Sequence, residues 1–578
     1  MAKYEVKKLK INNGVIVDYN NLNNDWKTAL STQNIIYIYR SSITKKVYIG
    51  QTVCFVNRNS QHYDGTEQKF LDARFDEVFV VVSRYFNGSA LDDVESQLIT
   101  YFIADNQKVI NLNGGNSVNE YSDREKVASE VIIPLWENEL SRNGWVNTPT
   151  LDVLRTKELV KYSPIKTLTT QQNTIIGNII QNTSDSYVIN GDAGTGKTVL
   201  LTNLVAKLLK ERPNATIGVV VQSNWMKTCK KIFKVYGMNN SALYVGTSTQ
   251  LICKAHESGQ RFDVIIVDES HKLSRNYGKQ QPSFFKVYKY SEFSNCESHL
   301  EILQKLGAQL VLMYDVLQAI RPANVTRAMF ARLTRNYKKE FLKTQFRIQA
   351  PAGKTYTSDD YINGIKYLLY KDTGLLNTTL TNFDPDFNRD VFRDVSDDAY
   401  FGYFKENPLH NLVDWKEEDN NFHPEHINRI LGGLVEDWKQ SDGLDPNITH
   451  WHEGDLNLRW NSTQENWIHI QDDDAEDQIG SVFAVQGIDL NKVGVLIGKD
   501  LEVVNGKLVG NPNNFYNVNG KFTNEEMEVA SNKFEFTLFV LNIYYVLMTR
   551  GIDGIRLGFW HNDDFRKYME DTLEINQR

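Results

Sequence analysis

The chain has little of what a secreted or fibrous protein needs. Only 4 of its 578 residues are cysteine and 12 are proline. Cys54, Cys229, Cys253 and Cys296 stand alone, with no C-x-x-C pair and no histidine at a ligand spacing, so neither a disulfide framework nor a cysteine-based zinc site is suggested. Isolated thiols suit a reducing compartment, and the expected location is the cytoplasm. No apolar run approaches the roughly 18 residues of a membrane span, and the opening MAKYEVKKLK lacks the apolar core of a secretion signal; no membrane partner is expected. Positive charge is not in excess either. The 64 lysines and arginines stand against 72 aspartates and glutamates, a net charge of −8, so any phosphate-binding surface has to be local.

What remains is globular material, 41% hydrophobic and 24% charged, long enough for about three domains of ordinary size. IIYIYR (35–40) and KKVYIGQ (45–51) read as two strands joined by a polar turn, with DEVFVVVSRYF (76–86) as a third and ALDDVESQLITYFIADN (90–106) as a helix. Each of the first two strands carries a tyrosine, Tyr37 and Tyr48. Arg58 and His62 are one helical turn apart in RNSQH, Glu95 lies on the later helix, and VINLNGGN (109–116) closes the region with Asn111. Taken singly these are half-buried sheet aromatics, a solvated helix face and a surface carboxylate.

In order and at this spacing they resemble the GIY-YIG nuclease domain over residues 33 to 116, with Ile35 where the family name has its first glycine. The resemblance implies phosphodiester cleavage in which Tyr37, Tyr48, Arg58, His62, Glu95 and Asn111 cooperate and Glu95 holds one Mg2+ or Mn2+ ion. The chemistry is coherent. A carboxylate oxygen holds a hard cation, the cation and an arginine stabilise charge developing at phosphorus, and a phenol relays a proton from the attacking water.

After a mixed connector comes the most specific passage, SYVINGDAGTGKTVLL. A strand-like run ends at Gly191, GDAGTGKT (191–198) fits G-x-x-x-x-G-K-[ST], and an amphipathic helix follows. Gly191, Gly194 and Gly196 let backbone N–H groups surround phosphate oxygens at a helix N-terminus, Lys197 faces the β and γ phosphates, and Thr198 holds Mg2+. A second apolar strand in RFDVIIVDESHKL (261–273) ends at Asp268 and Glu269, the first a metal ligand and the second the group that orients and deprotonates water. ATP and Mg2+ are therefore the expected cofactors.

The remaining motifs fall in the order of a superfamily 1 helicase core. Gln172 in LTTQQ is placed to read adenine, and Asp315 and Gln318 in QLVLMYDVLQAI to sense the γ-phosphate. Arg347 in LKTQFRIQ and Arg550 in NIYYVLMTRG are expected to act as arginine fingers, since their permanent charge and forked donors suit phosphate, the alternative for Arg550 being a helix-end cation. Gln486 and Gly487 in SVFAVQGIDL complete the nucleotide site; Asp489, in the same motif, stands where relatives often carry glutamate. These motifs resemble the Schlafen-type, helicase-like ATPases.

The expected fold is therefore α/β and multidomain, a small GIY-YIG domain (1–116), a helical linker (117–160) and two RecA-like parallel-sheet lobes (161–335 and 336–578). An insertion at about 355–475 interrupts the second lobe. It is rich in Trp415, Trp438, Trp451, Trp460 and Trp467, read either as base-stacking platforms or as buried structural residues. His450, His452 and Glu453 in THWHEGD are read as metal ligands or as a surface loop. The expected activity is ATP-dependent binding and cleavage of nucleic acid, DNA ahead of RNA. The resemblance implies bacterial anti-phage defence, with a homo-oligomer or a defence-system protein as partner. The alternative is an ATP-gated nucleic-acid sensor whose assembly, not translocation, is the main activity.

Overall fold

The computed structural model describes all residues except 1–2, 112–120, 165–167, 193, 224, 239–240, 278–281, 344–347, 349, 379–380, 440, 462–476, 486–488, 518–519 and 577–578. Contacts divide it into two compact units. The first comprises Met1–Thr183, Thr198–Thr247 and Phe262–Ile266, the second Ser184–Lys197, Ser248–Arg261 and Val267–Arg578. Among the described residues no helix is long and apolar enough to cross a membrane, and all four cysteines are free.

The first unit opens with a six-stranded sheet. Strands β1 (Glu5–Asn12), β2 (Val15–Ile16), β3 (Ile35–Arg40), β4 (Lys46–Thr52), β5 (Glu77–Val82) and β6 (Lys108–Val109) lie in the order β2-β1-β5-β3-β4-β6. β3 is central, antiparallel to β4 and β5, and its β-branched and aromatic residues from Ile35 to Tyr39 are all buried, as a strand covered on both faces requires. The register pairs Tyr39 with Tyr48 and Tyr37 with Gly50. Because alternate residues share a face, Tyr37 and Tyr39 point to the same side. They meet the helices Phe55–His62 and Gln68–Ala73 in an aromatic core containing Tyr48, Phe55 and Phe70.

Gly50 is fixed by this packing, because a Cβ there would lie 2.4 Å from the Tyr37 hydroxyl. Gly50→Ala is expected to destabilise the sheet by about 1–3 kcal/mol, read as lost amide-exchange protection in β3 and β4. Unchanged protection would refute the close approach.

The helix Gly88–Ala104 is capped by the Asn87 side chain and covers β3 and β4 with Leu91, Val94, Leu98 and Phe102. Its buried Asp93 is paired to Arg124 at 3.1 Å and accepts from Tyr121 and Gln97, so the connector that follows is clamped onto this helix. The connector runs through Arg124–Val127 and two wide, π-type helical stretches, Ala128–Ile132 and Leu135–Leu140. Farther on, the first unit holds strands β8 (Ile217–Val220), β9 (Leu243–Gly246) and most of β10 (Phe262–Val267), in the order β10-β8-β9 with β8 and β9 parallel.

The second unit contains β7 (Tyr187–Gly191), β11 (Gly307–Tyr314) and β12 (Lys338–Leu342), ordered β12-β7-β11 and parallel throughout. Near-continuous burial of β7 and of β11 from Gln309 to Tyr314 is what a parallel sheet demands. A further parallel sheet joins β13 (Phe401–Phe404), β14 (Arg429–Gly432), β18 (Leu490–Ile497) and β21 (Gly551–Phe559) in the order β13-β21-β18-β14. Against it packs the helix Ala530–Met548, buried from Phe536 to Met548. A small sheet of β15 (Trp451–Glu453), β16 (Leu456–Trp460) and β17 (Gln478–Ile479), and a hairpin of β19 (Leu501–Val504) and β20 (Lys507–Gly510), complete the unit. In the expected insertion, Trp451 and Trp460 are buried against each other with ring centroids 5.4 Å apart, and Trp415 carries the Lys492 and Arg556 cations over its ring. Trp467 lies outside the described residues.

Candidate functional site

In the first unit Tyr37, Tyr48, Arg58, His62 and Glu95 converge. The rings of Tyr37 and Tyr48 stack 6.3 Å apart, and the Arg58 charge acts on both phenols. The Tyr37 hydroxyl lies 2.9 Å from His62 Nε2, and His62 Nδ1 lies 3.1 Å from Glu67 Oε1. Since a carboxylate only accepts, Nδ1 carries the proton, Nε2 is the acceptor and Tyr37 donates to it. Burial, followed by the Arg58 charge, lowers the His62 pKa to about 4, so the ring is neutral near pH 7. Burial also raises both phenols above their usual range. Neither tyrosine ionises by itself; each acts through a neighbour.

Glu95 sits on the helix Gly88–Ala104, and burial raises its pKa to about 7, with Asp92 adding to the effect and a hydrogen bond from Gln51 opposing it. Gln51 also donates to Asp92 at 2.5 Å. A half-buried carboxylate beside a second carboxylate is an oxygen-donor set that fits a hard divalent cation. Asn111 is near but otherwise engaged. Its side chain donates to Ile49 O at 2.6 Å and accepts from Ile49 N at 3.2 Å, holding the strand that carries Tyr48 and Gly50.

Two further participants were missed in the sequence. Tyr39, two residues beyond Tyr37 and on its face, donates to Asn59, which bonds Gly14 O; the period of the strand was a signal for it. Glu67, which also lies 3.7 Å from Arg58, had none, being one acid in a polar loop.

In the second unit the phosphate loop follows β7. Gly194 and Gly196 have φ of +84° and +81°, left-handed values that glycine adopts without strain. The register places Tyr314 beside Asn190, so Asp315 emerges level with Gly191. Lys197 Nζ donates to Gly191 O at 2.5 Å and Asp192 O at 2.9 Å and lies 3.5 Å from Asp315 Oδ2. Asp315 also accepts from Leu317 N and from Gln318 Nε2 at 2.7 Å. The Gln318 carbonyl in turn accepts from Arg550 Nη2 at 3.4 Å, and Arg550 Nε bonds Val546 O. One chain of contacts thus links the loop lysine to the arginine after the long helix. Asn542 fastens the same helix to Val316 O and Ala319 O, and Tyr370 fastens Asn542. Lys366 reaches Asp192 at 2.5 Å; 174 residues of separation left no sequence signal for it.

Asp268 and Glu269 follow β10. Glu269 has φ of +50°, uncommon outside glycine and a form of local strain found at functional sites. Burial and the neighbouring Glu269 charge raise the Asp268 pKa to about 7. Burial raises Glu269 too, but Lys272, His271, Lys197 and Arg550 outweigh it and keep that group ionised. Its Oε2 lies 3.1 Å from His271 Nε2 without hydrogen-bond geometry, and among the described residues this buried oxygen has no hydrogen-bond donor. A carboxylate pair at a strand end, one member held ionised by cations, fits Mg2+ with an attacking water. Thr198 follows Lys197 in the helix Lys197–Glu211. Gln172 is buried, and its Oε1 accepts from Thr169 N in a capping box. Arg347, Gln486 and Gly487 lie outside the described residues.

Residues 184–560, more than half of the chain, match the family model described as Schlafen group 3, DNA/RNA helicase domain. The chain belongs to that family. The matched Schlafen segment holds Lys197, Asp268, Glu269, Asp315, Gln318 and Arg550, and excludes the N-terminal sheet with its tyrosine cluster. Over 401 aligned residues this Schlafen chain is 25% identical to the uncharacterized protein YPL245W of Saccharomyces cerevisiae (strain ATCC 204508 / S288c), covering 64% of this chain and 80% of that one. Solved structures similar to it include the Arterivirus helicase nonstructural protein 10, at TM-score 0.27 and 10% identity over 68% of this chain and 64% of that one. The DUF1998 helicase MrfA bound to DNA matches at 0.30 and 8% over 71% and 51%, and the Pif1 helicase of Candida albicans at 0.28 and 13% over 71% and 100%. The Schlafen chain spans less than two thirds of the first two of these, and TM-scores at this level carry no argument about its site.

Proposed function

We propose that this chain is an ATP-dependent nuclease, a helicase-like ATPase whose N-terminal, GIY-YIG-like domain cuts nucleic acid, DNA in preference to RNA. The observation that carries the ATPase part is the contact chain Lys197–Asp315–Gln318–Arg550. Lys197 and the loop N–H groups bind phosphate, Asp268 holds Mg2+, and Glu269 takes the proton of the attacking water. Asp315 and Gln318 sense the γ-phosphate, and Arg550 is its arginine finger. Arg347, Gln486 and Gly487 belong to the same proposed site on motif grounds.

The cleavage part rests on the Tyr37–His62–Glu67 hydrogen-bond series beside Glu95. Glu95 and Asp92 supply oxygen donors for Mg2+ or Mn2+, which when bound stabilises charge on the phosphodiester. Attacking water gives its proton to the Tyr37 oxygen as the Tyr37 proton moves to His62 Nε2, and Arg58 binds a phosphate oxygen. Tyr48 packs Tyr37 in place, and Asn111 positions the strand. Anti-phage defence is the setting that the resemblance implies.

The test is cleavage of single-stranded, duplex and branched DNA and RNA with each metal, with and without ATP. Absence of cutting on every substrate refutes the nuclease reading and leaves an ATP-gated sensor. Gln318→Ala removes two hydrogen bonds to charged groups, one to Asp315 and one from Arg550, and is expected to lower hydrolysis at least about tenfold with nucleotide affinity unchanged, measured by phosphate release and fluorescent-nucleotide binding. Full activity in that variant would separate Arg550 from the phosphate loop.

A further inference from the structure

We infer that His423, Glu425 and His426 form a binding site for a borderline divalent transition-metal ion of the zinc class, independent of both proposed active sites. The three residues follow the helix Pro408–Phe422, in a turn closed by His426 N donating to His423 O at 2.9 Å. One potential ligand atom from each lies within 4.8 Å of the others. His423 Nδ1 is 3.5 Å and His426 Nε2 4.0 Å from Glu425 Oε1. Ligands about 2.0–2.2 Å from a tetrahedral zinc stand roughly 3.3–3.6 Å apart, so small side-chain rotations close the set.

The imidazole–carboxylate donor set suits zinc, copper or nickel rather than Mg2+. Pro424 between the ligands limits the backbone. The two rings lie 4.5 Å apart at 18°, so turning one ring about its χ2 brings both nitrogens toward Glu425.

The deciding feature lies behind His426. Its Nδ1 is 2.8 Å from Asp419 Oδ2, and Asp419 is buried and also bound by Lys492 at 2.6 Å and Asn428 at 2.7 Å. An ionised, anchored carboxylate fixes the proton on Nδ1 and leaves the Nε2 lone pair facing Glu425, the arrangement found behind metal-bound histidines. The set suggested by sequence spacing does not assemble. His450 turns to Asp442, His452 to Asn457, and Glu453 to His410.

The experiment uses the metal-depleted full chain, titrated with Co2+ and followed by visible absorption, with Zn2+ as competitor. One Co2+ per chain, displaced by Zn2+, is expected. His423→Ala and His426→Ala should remove it, Asp419→Asn should weaken it by about 10- to 100-fold, and His452→Ala should leave it unchanged. His423 is half exposed, so its loss tests binding without threatening the fold. Absence of a stoichiometric cobalt spectrum, or its survival in the His423→Ala/His426→Ala double variant, which keeps Glu95 and the phosphate loop, would overturn the assignment.

Discussion

Lys197→Ala is expected to lower ATP hydrolysis by about 100- to 1000-fold, the loss typical when one preorganised charge-stabilising donor is removed. Lys197 Nζ is held on two carbonyls of its own loop and beside Asp315, at the head of the helix Lys197–Glu211. A buried ammonium poised at a glycine-bent loop exchanges those carbonyls for phosphate oxygens at little reorganisation cost, so its effect falls mainly on the transition state. Asp315 keeps its bonds from Leu317 N and Gln318 in the variant, so the fold should survive. Phosphate release under saturating ATP is the measurement. Near-wild-type turnover would mean that hydrolysis happens elsewhere or that the loop does not hold the nucleotide.

Glu95→Gln is expected to act in two opposite directions. Loss of the metal-holding carboxylate should lower Mg2+- or Mn2+-dependent cleavage at least about 100-fold, because metal stabilisation of the phosphoryl group contributes several kcal/mol. In chelator, the same change should stabilise the protein above pH 7. The sign follows from the raised pKa. Between the ordinary value of 4.5 and about 7 the folded state keeps the Glu95 proton and the unfolded state loses it. Stability therefore falls as pH rises through that window, by up to about 3 kcal/mol. Gln carries no charge to desolvate, so the melting temperature of the variant should exceed wild type at pH 8 and match it below pH 4.5. Divalent ions should narrow the gap at pH 8 by stabilising wild type alone. A variant that cuts normally would place Glu95 outside the metal site, and one that melts like wild type at both pH values would refute the raised pKa of Glu95.

How much could be read beforehand depended on distance along the chain. The phosphate loop lies within eight residues and its physics is local: two left-handed glycines, a strand before and a helix after. β3, β4 and β5 announced themselves by β-branched and aromatic runs, and Tyr37 and Tyr48 came with them. The pairing inside that sheet did not. The register sets Tyr39 opposite Tyr48 and leaves Tyr37 against Gly50, where a side chain would meet the Tyr37 ring.

The sequence by itself determined the local form of short segments: the glycine-rich loop, the acidic strand end and the tyrosines of an antiparallel pair. Backbone propensity and turn residues act over a few positions, so these survive without knowledge of the rest. Only the tertiary structure decided which distant groups join them, namely Glu67 on His62, Gln318 between Asp315 and Arg550, and Lys366 on Asp192. Hydrogen bonds and charge pairs depend on ångström separations that the packed core sets, and a linear string of residues does not contain them.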